Sequence, residues 1–122
     1  MGKHSKPSEQ IVVEVSSWPG VKAGPGDRGG LAFRVGKHEI GHLHGDYTAH
    51  FGFPKQVWTE LREQGRIAAH PFFPMSQGPA ARDIENDDDV RDVIALMRLN
   101  YERIIGLTTL YVGRDRSAAT VA

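Results

Sequence analysis

The feature that most constrains this chain is a pair of alternating runs joined by a short turn. Residues 31–35 place apolar side chains at every second position, which is the pattern of a strand with one buried face. Gly36 and Lys37 form a tight turn, residues 39–46 continue as a second strand, and residues 47–53 form either an aromatic-rich connection or a short strand. The two runs predict a β-hairpin, which needs other elements to cover its apolar face.

Two later segments have the pattern of amphipathic helices. One is predicted from Pro54 to about Gln64, since proline suits the first turn and Gly65 suits the position after the last turn. A longer helix is predicted from Asn86 to about Ile105. It combines an asparagine N-cap, three aspartates near the positive end of the helix dipole, and apolar residues at helical spacing.

The remaining segments are shorter. Residues 8–16 suit a helix capped by Ser8, although their β-branched run also suits a strand. Residues 67–73 and 80–84 are predicted to be extended, and the glycine-rich residues 24–30 to form a plain turn. We therefore expect the α+β class, with an antiparallel or mixed sheet whose central β-hairpin packs against two to three helices.

Composition limits the partners and the compartment. The 122 residues suit one domain, which we place at 8–112 between a flexible leader (1–7) and a flexible tail (113–122). Fifteen basic side chains balance fifteen acidic ones, so the basic excess typical of nucleic-acid binders is missing, and no apolar run has the length of a membrane span. The chain has no cysteine. We expect a cytoplasmic protein that binds a small molecule, with its oligomeric state left open.

Three of the six histidines lie within seven residues, at positions 38, 42 and 44. Alternate side chains of a strand share a face, and side chains two residues apart, roughly 6.6 Å at their backbones, can converge on one ligand. The predicted histidine face comprises Ile40, His42, His44 and Asp46. Glu39 and Gly41 are assigned to the opposite face, where a glycine indicates that another element, such as the long helix, approaches the backbone closely.

Three interpretations of this strand stay open on the residues alone. The first is a metal site formed by His42, His44 and a distant ligand such as His70 or Asp46, with a coordination position left for chemistry. The second is metal-free acid–base catalysis, in which Asp46 orients an imidazole that titrates near neutrality. The third is structural, with polar residues on a hydrated sheet face.

Three further side chains are candidates for the same site. His70 ends an extended segment beside apolar neighbours, where a buried and hydrogen-bonded histidine is the simpler interpretation. Arg34 lies on the neighbouring strand of the hairpin, from which it reaches either an anionic ligand near His42 or Glu39 as a cross-strand partner. We treat Arg34, Glu39 and His70 as candidate substrate-binding residues.

Several segments in a fixed order resemble a known family. The most specific is Glu39-Ile40-Gly41-His42-Leu43-His44-Gly45-Asp46. It is preceded by Trp18-Pro19-Gly20-Val21 and Gly30-Leu31-Ala32-Phe33-Arg34-Val35-Gly36. It is followed by Phe53-Pro54, Gly65-Arg66, His70 and Leu99-Asn100-Tyr101. Together these segments, across residues 8–103, resemble the luciferase-domain family, a group of small bacterial and fungal proteins that includes the fungal luciferase.

The resemblance implies an enzyme. The fungal luciferase acts as a cofactor-independent oxygenase on a hydroxylated pyrone, with loss of carbon dioxide and emission of light. A base forms an electron-rich enolate, which reacts with oxygen in a pocket that excludes water. For this chain the resemblance implies His42 or His44 as the general base and Asp46 as its orienting partner. His70 and Arg34 would then hold an anionic, enolic substrate.

The same resemblance implies molecular oxygen as co-substrate and neither a cofactor nor a metal. The alternatives are a binding module without catalysis, or a metal enzyme with His42, His44 and His70 as ligands. One segment departs from the family pattern, in which a Gly-Trp pair and an alternating strand often precede the last helix. Residues 77–82 contain no tryptophan. If that tryptophan lines a substrate pocket, the substrate of this protein differs.

Overall fold

The computed structural model describes the backbone of residues 5–116 and the side chains of residues 5–106. The helices are α1 (Pro7–Ser16), α2 (Lys55–Glu63) and α3 (Asp87–Arg116). The strands are β1 (Val21–Pro25), β2 (Leu31–Val35), β3 (His38–His44), β4 (Thr48–Gly52), β5 (Ala68–Ala69) and β6 (Pro79–Asp83). The predicted leader and tail lie largely outside the described residues, although α1 already begins at Pro7 and α3 continues to Arg116.

The first segment is a helix and not a strand. Pro7 occupies the first turn, where its missing N–H leaves no hydrogen bond unmade. The Glu9 side chain accepts a hydrogen bond from the backbone N–H of Lys6 at 3.0 Å and so closes this first turn. Ile11 and Val15, four residues apart, are both fully buried. Helical spacing of these two apolar residues therefore outweighs the strand preference of the β-branched run.

The strands form one sheet in the order β1-β2-β3-β4-β6-β5, and every neighbouring pair is antiparallel. The predicted hairpin is confirmed as β2 and β3. The segment after it forms β4, which returns beside β3 across a turn at residues 45–47. The strands β3 and β4 thus occupy the centre of the sheet. Together with the three helices this is the expected α+β arrangement.

A β-bulge in β3 changes which of its side chains share a face. Phe33 of β2 pairs with Gly41, but the next residue, Arg34, pairs with Glu39, so Ile40 is an extra residue. Ile40 is fully buried in the core, and Glu39 bonds to His42 on the other face. The assignment of Ile40 to the histidine face and of Glu39 to the opposite face is therefore wrong. Strict alternation does not allow for an inserted residue.

The opposite face of β3 packs directly on α3. A Cβ atom at Gly41 would lie 2.9 Å from Met97 Sδ and 3.0 Å from Phe51 Cδ1. This confirms the expected close approach of the long helix at Gly41. Gly45 has a different role, because it lies in the turn after β3 with a φ of 63°.

One hydrophobic cluster lies between the helices and this face of the sheet. Within it, the fully buried Asn100 of α3 donates hydrogen bonds to the carbonyl oxygens of Ile40 (2.9 Å) and Gly52 (3.0 Å). Asn100 thus supplies a partner for the bulged residue, whose buried carbonyl would otherwise be costly. No helix among the described residues is both long and apolar enough to cross a membrane.

Candidate functional site

The face of the sheet that points away from the helices carries a cluster of four imidazoles. His42 and His50 are directly paired on β3 and β4. Their ring centroids are 5.1 Å apart, and the ring of His44 lies 4.9 Å from that of His42 and 4.6 Å from that of His50. His70, which follows β5, lies 4.2 Å from His50. We call His42, His44, His50 and His70 the histidine cluster.

Small residues on the neighbouring strands make room for these rings. Ala32 pairs with His42 on one side, and Ala81 pairs with His50 on the other. Because Ala81 contributes only a methyl group, the ring of His70 can extend from beyond β6 to the ring of His50. The sheet pairing thus gathers residues that are up to 28 positions apart in the sequence.

His42 has a defined tautomer and a carboxylate partner. Its Nδ1 lies 2.7 Å from Glu39 Oε2. An ionised carboxylate only accepts hydrogen bonds, so Nδ1 carries the proton and donates it. The neutral ring therefore presents the lone pair of Nε2 away from Glu39. The bulge at Ile40 makes this contact possible, since residues three apart in a regular strand lie on opposite faces.

His50 is the most enclosed member of the cluster. The residue is 6% exposed, and its Nδ1 is buried without a hydrogen-bond partner in the protein. Buried polar atoms without partners are uncommon and often mark sites of function. Burial and the neighbouring imidazoles of His70, His44 and His42 lower the pKa of His50 to about 4. His50 is thus a neutral imidazole at physiological pH.

His70 also has a defined tautomer. Its Nδ1 accepts a hydrogen bond from the backbone N–H of Phe72 at 3.1 Å, so the neutral ring carries its proton on Nε2. The rings of Phe72 and Phe73 lie 5.6 and 5.2 Å from it. Burial, followed by the neighbouring imidazoles, lowers the pKa of His70. His70 is therefore a neutral hydrogen-bond donor in the cluster.

The pKa values of His44 and Glu39 are also shifted by their neighbours in the cluster. Burial and the charge of His42 lower the pKa of His44. The hydrogen bond from His42 is the main cause that lowers the pKa of Glu39, against the opposing effect of burial. Glu39 is consequently ionised at neutral pH, and it supplies the negative charge closest to the cluster.

The cluster forms the floor of a pocket of about 270 Å³. The predicted glycine-rich turn and the segment after β5 form its walls: Gly26, Asp27, Arg28, Gly29, Phe72 and Phe73. The guanidinium of Arg28 lies 5.9 Å from the centre of the Phe73 ring. Gly30 allows the turn to approach β3, because a Cβ there would clash with the carbonyl oxygen of Leu43 and approach His44 Nδ1. The turn is thus a wall of the pocket.

The structure does not bring two of the predicted site residues to this pocket. Strand β3 ends at His44, so the alternation stops before Asp46. Asp46 Oδ1 accepts a hydrogen bond from the backbone N–H of Ser8 at 2.9 Å. Hydrogen bonding to the Ser8 side chain, followed by this backbone bond, lowers the Asp46 pKa. Arg34 pairs with Glu39 in the sheet and faces Asp27 at 3.9 Å. It adds to the lowering of the Glu39 pKa but does not line the pocket.

Sequence reasoning missed several residues of the pocket. His50 was overlooked because residues 47–53 were not assigned to a definite strand. The signal was present, since a short turn at Gly45 followed by an alternating run pairs His50 with His42. Arg28, Phe72 and Phe73 carry no comparable sequence pattern, and only the tertiary fold places them at the pocket.

Fold and site together define a small α+β domain with a histidine-lined pocket on the exposed face of an antiparallel sheet. The profile of the Luciferase domain family matches residues 37–100, which contain the whole histidine cluster and extend to Asn100. The chain therefore belongs to the Luciferase domain family. No curated protein and no solved structure matches it.

Proposed function

We propose that this protein is an oxygenase-like enzyme that deprotonates a small enolic molecule, of the hydroxypyrone type, in the pocket above the histidine cluster. Family membership supports the class of reaction. The observation that carries the proposal is the 2.7 Å hydrogen bond between Glu39 and His42, which orients the His42 ring at the pocket floor in the way that a general base requires. Glu39 takes the orienting role that the sequence assigned to Asp46.

His42 is the member of the cluster best suited to accept a proton. Its Nε2 is free of the Glu39 hydrogen bond, and the carboxylate stabilises the imidazolium that forms. His70 already carries its Nε2 proton, because its Nδ1 accepts from Phe72. His70 therefore suits a different task, donation of a hydrogen bond to the oxyanion of the substrate.

The electrons that reduce oxygen come from the substrate, so the reaction needs no further reductant. The enolic O–H of the substrate transfers its proton to His42 Nε2, which leaves an enolate. The electron-rich carbon of the enolate adds to molecular oxygen, so that a C–O bond forms and oxygen is reduced to a bound peroxide anion. That anion takes back the proton from His42, and the product is a hydroperoxide.

The pocket suits a small planar substrate. Its volume of about 270 Å³ lies near the lower end of the range for ligand sites. Phe72 and Phe73 offer aromatic surface at the edge, and Phe72 is 72% exposed. Aromatic side chains stack on flat rings, and Arg28 adds a positive charge for an anionic oxygen. Arg34, which lies outside the pocket, is left with an indirect role through Glu39.

The experiment measures oxygen consumption and light emission by chelator-treated protein with a panel of hydroxylated pyrones. His42→Ala should lower the rate at least 100-fold, within the range for loss of a general base. Glu39→Gln should lower it about 10- to 100-fold, because a charge-assisted hydrogen bond contributes about 1.5–3 kcal/mol. His38→Ala is the matched control, since His38 is exposed on the same strand. Full activity in His42→Ala would refute the assignment of His42 as the general base.

A binding module without catalysis would give another result with the same panel. A pyrone would then raise the melting temperature in a manner that depends on His42, but neither the pyrone nor oxygen would be consumed. Thermal shift and oxygen uptake measured on the same samples therefore separate the enzyme from the binding module.

A further inference from the structure

We propose that His42, His44 and His50 also form a binding site for one divalent first-row transition-metal ion, and that this ion competes with the substrate proton for Nε2 of His42. The metal site goes beyond the proposed function, since it assigns a ligand to the free protein, whereas the competition at His42 rests on that function. It differs from the metal set expected from the sequence, because His50 replaces His70 as the third ligand.

The first argument is the convergence of three donor atoms. One ring nitrogen from each of these histidines lies within 4.8 Å of the other two. In a tetrahedral zinc site with bonds of about 2.0 Å, ligand nitrogens lie about 3.3 Å apart. The nitrogens must therefore approach one another by at most about 1.5 Å, which rotations about the side-chain torsions of residues on two adjacent strands can provide. Three imidazoles on one side leave further coordination positions directed to the pocket.

The second argument is the protonation state of the donors. Only a neutral imidazole nitrogen with a lone pair binds a metal ion. The Nδ1–H of His42 donates a hydrogen bond to Glu39, so Nε2 is the atom that is free to coordinate a metal ion. His50 has a buried ring nitrogen with no protein partner. His70 presents an N–H at Nε2 and cannot serve, which leaves His42, His44 and His50 as the set.

The third argument is the position of Glu39. Metal-bound histidines commonly donate their other ring N–H to a carboxylate, which fixes the ring and increases its basicity. Glu39 and His42 have this arrangement at 2.7 Å. Three imidazole ligands favour zinc, copper, nickel or iron over magnesium or calcium, which prefer oxygen ligands.

Competition at His42 follows from the same lone pair. Nε2 can hold either a metal ion or the proton taken from a substrate, but not both. The metal-bound protein is thus expected to lose turnover, because Nε2 of its His42 cannot accept a proton. Removal of the ion with a chelator is expected to restore turnover. Metal availability would then control the activity of the pocket.

The experiment uses the full chain without a histidine tag, stripped with a chelator and titrated with Zn²⁺ or Co²⁺ in the absence of substrate. Calorimetry and elemental analysis after desalting should give one ion per chain, and Co²⁺ should show the visible absorption of a low-coordinate site. His44→Ala and His50→Ala should each weaken binding at least 100-fold, and Glu39→Gln about 10- to 100-fold. His38→Ala should bind as the wild type does.

Binding of less than one ion per two chains would overturn the metal site, as would equal losses in His38→Ala and His44→Ala. Because His44 is only half-buried, its variant remains informative if His50→Ala does not fold. The metal site and the proposed function can fail separately. Stoichiometric metal with no pyrone turnover in the stripped protein would refute the proposed function and the competition at His42 but not the metal site. Turnover without any metal binding would refute the metal site and leave the proposed function standing.

Discussion

The contact between Gly41 and α3 allows a test of how tightly β3 packs against α3. Gly41→Ala adds one methyl group to the core face of β3. Its Cβ would lie 2.9 Å from Met97 Sδ, 3.0 Å from Met97 Cε and 3.0 Å from Phe51 Cδ1. The end of a methionine side chain can move, but the ring of Phe51 belongs to a stacked pair with Phe53 and must shift with it.

The magnitude follows from two opposing effects. Insertion of a methyl group into a well-packed core costs about 1–3 kcal/mol. Replacement of glycine by alanine lowers the entropy of the unfolded chain, which returns about 0.4–1 kcal/mol. The net loss in the free energy of unfolding should be about 1–2 kcal/mol. For a domain of this size, with an unfolding entropy of about 0.26 kcal/mol per kelvin, the melting temperature falls by about 4–8 °C.

Thermal and urea unfolding monitored by circular dichroism measure this loss. The matched control is Gly52→Ala on the neighbouring strand β4, where a Cβ has no atom within 4 Å. That variant should be neutral or slightly stabilised, because only the effect on the unfolded chain applies. In a Met97→Ala background, which removes two of the three close atoms, Gly41→Ala should cost less by at least about 0.5 kcal/mol.

The result that would refute the reasoning is a Gly41→Ala variant as stable as Gly52→Ala. Equal costs of Gly41→Ala in the wild type and in the Met97→Ala background would also contradict it. Either outcome would mean that β3 is not held tightly against α3, and that the bulge and the cluster on its other face are less fixed than the contacts indicate.

Two further predictions concern side chains of α3 that bond to the sheet. Asn100→Leu removes the side-chain donor from the buried carbonyl group of Ile40 and from the partly buried carbonyl group of Gly52, so we expect the free energy of unfolding in urea to fall by about 2–4 kcal/mol. A loss below about 1 kcal/mol would contradict the role of Asn100. The hydrogen bond from Arg82 lowers the pKa of Asp89, so this carboxylate stabilises the fold above about pH 4 and loses that effect as the pH falls through its lowered pKa. At pH 7 the free energy of unfolding of Asp89→Asn should therefore be about 1 kcal/mol lower than that of the wild type, and this difference should shrink in acid. A difference that stays constant from pH 7 to pH 3 would exclude the ion pair with Arg82 as its source.

Local sequence patterns alone predict much of the fold. The alternation of residues 31–35 and the turn at Gly36 predict the hairpin because a strand buries every second side chain. Asn86 predicts the start of α3, where the Asn86 side chain accepts a hydrogen bond from the Asp89 N–H at 2.9 Å. Alternation along residues 39–46 predicts that His42 and His44 share a face of the sheet, and their rings do lie together in the histidine cluster.

The tertiary structure decided the composition of the site. An inserted residue at Ile40 moves Glu39 to the side of His42, and no alternation pattern contains that shift. Strand pairing brings His50 to the cluster, and the small Ala81 lets His70 join it. Sequence periodicity indicates which face of a single strand a residue occupies. Only the register between strands, which depends on contacts far apart in the chain, determines which side chains meet.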